Sequence, residues 1–130
     1  MSHKSKGINA ERELIHKFWS NGWTAIRVAG SGSSKYPSPD IIAAKTSRKI
    51  AIEVKITKED KKYFTHEDLN QLLEFSEKFG SEAWLAVKFP KNGWFFLPPS
   101  EIESTKKGFV FSLNKAKIKG LTFNELLNQF

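Results

Sequence analysis

The sequence predicts an α/β fold, a single domain in which a central mixed β-sheet is flanked by helices. Three patterns predict it: a helical spacing of apolar residues near the N-terminus, an alternating strand in the middle, and a second helix followed by two apolar strands. The 130 residues fit one domain, and eleven Phe and four Trp can supply a core. We take 1–130 as that domain, with 1–6 expected to be mobile and 100–130 more weakly patterned.

The first predicted element is a helix over Ile8–Gly22. Its apolar stripe is formed by Ile8, Leu14, Ile15, Phe18 and Trp19. Glu11 falls in the middle of this stripe, whereas Glu13 and its polar neighbours fall at its edges. A carboxylate on an inward face costs several kcal/mol unless it is paired. Glu11 therefore either forms a buried salt bridge, for example to Arg27, or contributes to a metal site.

Three strands are predicted next. The first covers Trp23–Val28 and is followed by a Gly-, Ser- and Pro-rich loop over residues 30–39. The second begins at Asp40 and the third covers Ile50–Thr57, with a turn near residues 46–48. A hairpin of this kind would lay Asp40 beside Glu53.

The third strand carries the most informative side chains. Strict alternation puts its isoleucines and Val54 on one face, to build a core, and Glu53 and Lys55 together on the other, in a cleft. Two acids and a lysine are what metal-dependent phosphodiester cleavage needs. Taken alone, Asp40 with Glu53 and Lys55 is explained equally well by an ordinary cross-strand ion pair. If Glu11 also converges there, each close carboxylate pair repels by roughly 4 kcal/mol at an effective dielectric near 20, and a divalent cation removes this penalty. Glu11 thus favours the metal site.

The C-terminal half predicts further elements around this sheet. Thr65 and Asp68 can cap a helix that runs to Phe79 and stops at Gly80, with a broad apolar side. Two strands follow, a central one over Ala83–Phe89 and another over Trp94–Leu97. A short edge strand is predicted at Phe109–Leu113 and a closing helix at Phe123–Phe130.

Charge indicates a polyanionic partner. Lys and Arg total 21 against 14 Asp and Glu, which gives a net charge of +7. A basic surface that serves only solubility is the alternative. The basic residues near the cleft in sequence are the candidates for phosphate contacts: Lys4, Lys6, Arg12, Lys35, Lys58, Lys61 and Lys62.

Several classes of protein are disfavoured. The sequence has no cysteine and neither a membrane-spanning apolar run nor a signal-peptide core, so we expect a cytoplasmic protein that does not engage membranes. The three histidines are scattered and do not predict a metal site, and the serines lack partners for a nucleophilic triad. We also expect no small-molecule substrate.

Short motifs occur in a fixed order along the chain. In the first half they are Gly7-x-x-Ala10-Glu11-Arg12-Glu13-Leu14, Arg27-Val28-Ala29-Gly30-Ser31-Gly32-Ser33, Pro39-Asp40-Ile41-Ile42-Ala43 and Ile52-Glu53-Val54-Lys55. They continue with Leu73-x-Phe75-Ser76-x-x-Phe79-Gly80 and Ala86-Val87-Lys88-Phe89. In this order the motifs resemble the archaeal Holliday junction resolvases. The resemblance covers most of the chain up to about Leu97 and is weak after Pro99.

This resemblance implies a restriction-endonuclease-like fold and a homodimer that nicks four-way DNA junctions symmetrically with Mg²⁺, for which Mn²⁺ is expected to substitute. The implied catalytic residues are Glu11, Asp40, Glu53, Lys55, Arg27 and a loop serine, either Ser31 or Ser33, with Ser33 otherwise a DNA contact. The implied metal ligands are Asp40, Glu53, Glu11 and the backbone carbonyl of Val54. The partner is branched DNA, which would place the protein with the nucleoid.

Two other functions stay open. A nuclease of the same fold could act on other DNA structures in repair or restriction. A DNA-binding module without catalysis could also keep the fold, but it would not need Glu11, Asp40, Glu53 and Lys55 together.

Overall fold

The computed structural model describes residues 3–30 and 35–129. In chain order the elements are α1 (His3–Ser20), β1 (Thr24–Arg27), β2 (Ile41–Lys45), β3 (Arg48–Ile56), β4 (Lys61–Phe64), α2 (His66–Phe79), β5 (Glu82–Phe89), β6 (Gly93–Leu97), β7 (Glu103–Thr105), β8 (Gly108–Ser112), α3 (Leu113–Lys119) and α4 (Phe123–Leu127).

The main sheet has five strands in the order β1-β2-β3-β5-β6. β3 and β5 run parallel, joined by a crossover that contains α2, and the other neighbours are antiparallel. The predicted mixed sheet with flanking helices is therefore confirmed, and β5 is an inner strand as its apolar sequence predicts.

Both faces of this sheet are covered. On one face, Leu14 and Phe18 of α1 pack against Ile50 and Ile52. On the other face, α2 packs over Ala51, which is fully buried. The prediction of a core on only one face of β3 was therefore wrong, because α2 returns over the second face. Glu53 and Lys55 follow Ala51 along that second face, and they are only partly covered by the elements that pack on it.

α1 begins earlier than predicted, at His3, so that Lys4 and Lys6 lie inside the helix. Trp19 does not join the buried stripe: it is 56% exposed, and its indole N–H donates to the carbonyl of Ala25 at 3.0 Å. No helix in the described ranges is long and apolar enough to span a membrane.

α2 is capped as predicted. The hydroxyl of Thr65 accepts from the amide of Asp68, the carboxylate of Asp68 accepts from the amide of Thr65, and both distances are 2.9 Å. Gly80 ends the helix with φ of 79°. Its predicted apolar side is divided in two: Leu72 is buried, whereas Leu73 and Phe79 are 46% and 42% exposed.

A second sheet of three strands, in the order β4-β8-β7, was not predicted. The prediction of an edge strand at Phe109–Leu113 was wrong, since β8 pairs with β4 on one side and β7 on the other. The prediction also missed α3, and α4 ends at Leu127 instead of continuing to Phe130. Phe111 of β8 joins the two sheets, because its ring lies 5.9 Å from Phe89 and 6.3 Å from Phe64.

Candidate active site

The β2–β3 hairpin brings two acids together at one end of the main sheet. Ile41 pairs with Ile52, so that Asp40 arrives opposite Glu53. The amide of Asp40 donates to the carbonyl of Ile52 at 3.0 Å, and the amide of Val54 donates to Asp40 Oδ2 at 2.8 Å. The predicted hairpin is confirmed, and the backbone of β3 holds the Asp40 carboxylate beside Glu53.

The electrostatic surroundings of Glu53 strongly oppose its ionisation. Burial, followed by the negative charges of Asp40 and Asp68, raises its pKa to about 9. Lys55 acts in the opposite direction, and Glu11 makes the smallest contribution. A carboxylate held this unfavourably stays protonated near neutral pH unless a cation compensates its charge.

Lys55 faces Asp68, an acid that the sequence predicts only as a cap of α2. Its ammonium lies 3.4 Å from Asp68 Oδ2, and 5.3 Å from the ring centroid of Phe64. The N-terminus of α2 therefore borders the site. The signal available in the sequence was the capping motif itself, but only the packing of α2 on the Lys55 face places Asp68 there.

Glu11 forms the salt bridge predicted for it, and the charge of Asp40 also acts on it. Its Oε1 lies 3.5 Å from Arg27 Nη1, so the predicted salt bridge is present. Burial and then the charge of Asp40 raise the pKa of Glu11 to about 7, against the lowering effect of Arg27. The charge of Asp40 acts on both Glu11 and Glu53, whereas Glu11 makes the smallest of the contributions to the pKa of Glu53.

The carboxylates of Glu11, Asp40 and Glu53 are suitable ligands for a hard divalent cation, although they are not yet close enough together to share one. Among the described residues, no three acid or histidine side chains are already close enough to hold one ion. Asp40 and Glu11 nevertheless oppose the ionisation of Glu53, and Asp40 opposes that of Glu11. Three mutually destabilised carboxylates are relieved by a divalent cation, and carboxylate oxygens are the ligands that Mg²⁺ prefers.

The structure locates most of the predicted DNA-binding residues on the surface. Exposed side chains are those of Arg12, Lys35, Lys58 and Lys61, whereas Lys6 and Lys62 are partly buried. Lys61 also lies 6.0 Å from the ring centroid of Tyr63, which is 55% exposed. Ser31 and Ser33 fall outside the described residues, as does the side chain of Lys4.

One further basic residue, Lys88, was not among the predicted contacts. It lies beside Ile56 in the parallel β3–β5 pair, and with Lys6 it lines a groove beyond the end of β3. Its ammonium lies 2.7 Å from Glu13, which also accepts from the indole of Trp94 at 2.7 Å. Glu13 thus lies in a polar cluster at the edge of the apolar stripe, as the sequence predicts, and its side chain is 41% exposed.

Comparison with known proteins agrees with this fold and shows the family of the chain. The family model described as archaeal Holliday junction resolvase matches residues 2–130, and the chain belongs to that family. The chain is 41% identical over 129 residues to the crossover junction endodeoxyribonuclease Hjc of Archaeoglobus fulgidus, covering 94% of this chain and 95% of that one. It is 36% identical to the enzyme of the same name from Sulfolobus acidocaldarius, covering 98% and 90% of the two chains.

A solved structure agrees as well. The 1.6 Å structure of Archaeoglobus fulgidus Hjc, a Holliday junction resolvase from an archaeal hyperthermophile, superimposes with a TM-score of 0.86 at 39% identity. The match covers 92% of this chain and 96% of that one. The predicted resemblance to the junction resolvases is thereby confirmed.

Proposed function

We propose that this protein is an endonuclease that resolves four-way DNA junctions by paired metal-dependent nicks in recombination or repair. The observation that carries the chemistry is the position of Asp40, directly before β2, opposite Glu53 of β3, where burial and neighbouring acids raise the pKa of Glu53 to about 9. Family membership supports junction DNA as the substrate. Work on such DNA would place the protein with the nucleoid.

The residues that would hold Mg²⁺ are Asp40, Glu53 and the backbone carbonyl of Val54, with Glu11 as a further ligand or a partner of a bound water. When bound, the ion would acidify a water and stabilise charge on the phosphoryl oxygens. Mn²⁺ has similar preferences and would substitute. The side chains of Asp40 and Glu53 would then be ionised, because the positive charge of the cation would offset the repulsion between the two carboxylates.

Lys55 and Arg27 would supply the fixed positive charges. The ammonium of Lys55 would orient the attacking water or neutralise the scissile phosphate. Arg27 lies 3.5 Å from Glu11, and would keep that carboxylate directed at the Asp40 side of the site. By the chemistry of the family, the products would carry 5′-phosphate and 3′-hydroxyl ends.

Junction choice would come from shape and not from base contacts. The lysines around the site would contact the backbones of several duplex arms, and each phosphate contact would release counterions. Gln substitutions at Lys35, Lys58, Lys61 and Lys62 should weaken junction binding and flatten its salt dependence. Unchanged affinity and slope in a salt titration would refute this contribution.

A homodimer would provide the two sites that paired nicks require. The outer side of α2 is the candidate surface, because Leu73 and Phe79 are exposed there and the Phe79 ring lies 5.1 Å from Phe75. Glu substitutions at Leu73 and Phe79 should produce a monomer in light scattering. A dimer that persisted unchanged would move the interface elsewhere.

The deciding experiment is a substrate panel with Mg²⁺. A four-way junction, a linear duplex and a flap are compared for nicking, with Asp40→Asn as the inactive control. We expect symmetric nicks in the junction alone. Equal cleavage of the duplex or flap would favour a related repair or restriction nuclease, and absence of Mg²⁺-dependent nicking would favour a DNA-binding module without catalysis.

A further inference from the structure

Asp68 takes part in two contacts through one oxygen. Its Oδ2 accepts from the amide of Thr65 at 2.9 Å, which closes the capping box of α2, and lies 3.4 Å from Lys55 Nζ. The first turn of α2 therefore holds this carboxylate in place independently of its contact with the Lys55 ammonium. A cap that served only the helix would have no need to face the site.

Lys55 needs such a partner because its side chain is long and only partly enclosed. A lysine side chain has four rotatable carbon bonds to restrain, and its ammonium is a point charge without a preferred plane. The side chains of Lys55 and Asp68 are 25% and 23% exposed, so that the pair is shielded but still borders solvent. Phe64 limits the lysine on another side, with its ring centroid 5.3 Å from Nζ.

We propose that Asp68 is a positioning residue that holds the Lys55 ammonium at the edge of the Asp40–Glu53 site. This proposal rests on the function proposed above, in which Lys55 acts on the water or the phosphate. Asp68 would act through Lys55 and would contact neither the water nor the phosphate. A misplacement of about 1 Å in such a group costs up to about 10²-fold in rate, so an aligned ammonium is worth a dedicated partner.

Two substitutions separate positioning from capping. Asp68→Asn keeps an oxygen that can accept from the Thr65 amide but removes the charge that faces Lys55. Thr65→Ala removes the other half of the capping box and leaves the Asp68 carboxylate and its bond to the Thr65 amide in place. Each variant should stay folded, with a thermal midpoint only slightly below that of the wild type.

The kinetic test is single-turnover nicking of a four-way junction at saturating enzyme. Asp68→Asn should nick about tenfold more slowly, with junction Kd and the Mg²⁺ concentration for half-maximal rate unchanged. Thr65→Ala should stay within twofold of the wild type, and Asp68→Glu should recover part of the rate. Equal rate losses in Asp68→Asn and Thr65→Ala would reduce Asp68 to a cap, and a raised Mg²⁺ requirement in Asp68→Asn would make it a metal ligand instead.

A second readout does not depend on nicking. In protein labelled with ¹³C-lysine, with Lys55 assigned by Lys55→Arg, relaxation of its Cε should show a more ordered side chain than that of exposed Lys58. Asp68→Asn should lower the Lys55 order to the Lys58 level, and Thr65→Ala should not. An unchanged Lys55 order in Asp68→Asn would overturn the positioning role, even if the wild-type protein nicked no junction and the proposed function had failed.

Discussion

The five-stranded and three-stranded sheets differ in how far their strands are specified locally. β2 and β3 form a hairpin around Thr46, with strict alternation along β3, and they carry Asp40, Glu53 and Lys55. The three-stranded sheet joins β4 to β8, which are separated in sequence by α2, β5, β6 and β7. Its strands are three to five residues long.

The two sheets therefore have different roles, one in the site and the other in the core. The main sheet supplies the acids, and the second sheet closes the α2 side of the core around Phe64 and Phe111. Phe64 also faces Lys55, so the second sheet forms part of the wall of the site. Substitutions in the main sheet should therefore affect the reaction first, and substitutions in the second sheet should affect stability first.

The largest expected effect is on catalysis. Glu53→Gln should lower junction nicking about 10³-fold, equivalent to about 4 kcal/mol of transition-state stabilisation, because a metal ligand is lost. Glu103→Gln, on exposed β7, is the matched control and should nick like the wild type. Parental activity in Glu53→Gln would remove Glu53 from the site, and gel assays of nicked junctions measure both variants.

Phe111→Ala tests whether the second sheet belongs to one cooperative unit. The side chain is fully buried between Phe64 and Phe89, so truncation should cost about 3–5 kcal/mol in the free energy of unfolding. Urea unfolding should move to lower denaturant together in tryptophan fluorescence and far-UV circular dichroism. Ile118→Ala, at an 81% exposed position, should change stability by less than about 0.5 kcal/mol. Separate transitions in Phe111→Ala would make the second sheet an independent unit.

Gly108→Ala tests a close approach between β8 and the end of β4. A Cβ at Gly108 would lie 2.7 Å from the carbonyl oxygen of Phe64, and the φ of Gly108 is 155°. Relief of that clash should cost about 1–3 kcal/mol. Gly7→Ala is the control, since a Cβ there meets nothing within 4 Å and replaces a helical glycine, which should stabilise by up to about 1 kcal/mol. Equal thermal midpoints for the two variants would contradict the packing.

The smallest expected effect, taken per pH unit, is the pH dependence of the stability of the metal-free protein. The pKa of Glu53 is raised from 4.5 to about 9 in the folded state, so between these values the folded chain keeps a proton that the unfolded chain has lost. The free energy of unfolding should then fall with rising pH, by at most about 1.4 kcal/mol per pH unit from this group. In a chelator, Glu53→Gln should flatten the slope between pH 5 and pH 8. Parallel slopes for the two proteins would contradict the raised pKa.

Local patterns account for the elements that the sequence predicted correctly. The capping box of Thr65 and Asp68, the stop at Gly80 and the alternation through Glu53 each act within a few residues. Glu11 was recognisable because a charge in an apolar stripe needs a partner. The roles of Glu11, Asp40, Glu53, Lys55 and Arg27 stay predictions, as do the metal and the dimer.

Packing decided the rest, because its contacts join residues far apart in the chain. The pairing of Asp68 with Lys55, of Glu13 with Lys88 and of β4 with β8 depends on how α2, β5 and the C-terminal strands return to the main sheet. The sequence by itself determined the acids, the lysine and the strand that carries them, since side-chain alternation is a property of the strand. Only the tertiary structure decided which charges face one another, because burial and long-range neighbours set both the pKa of Glu53 and the partner of Lys55.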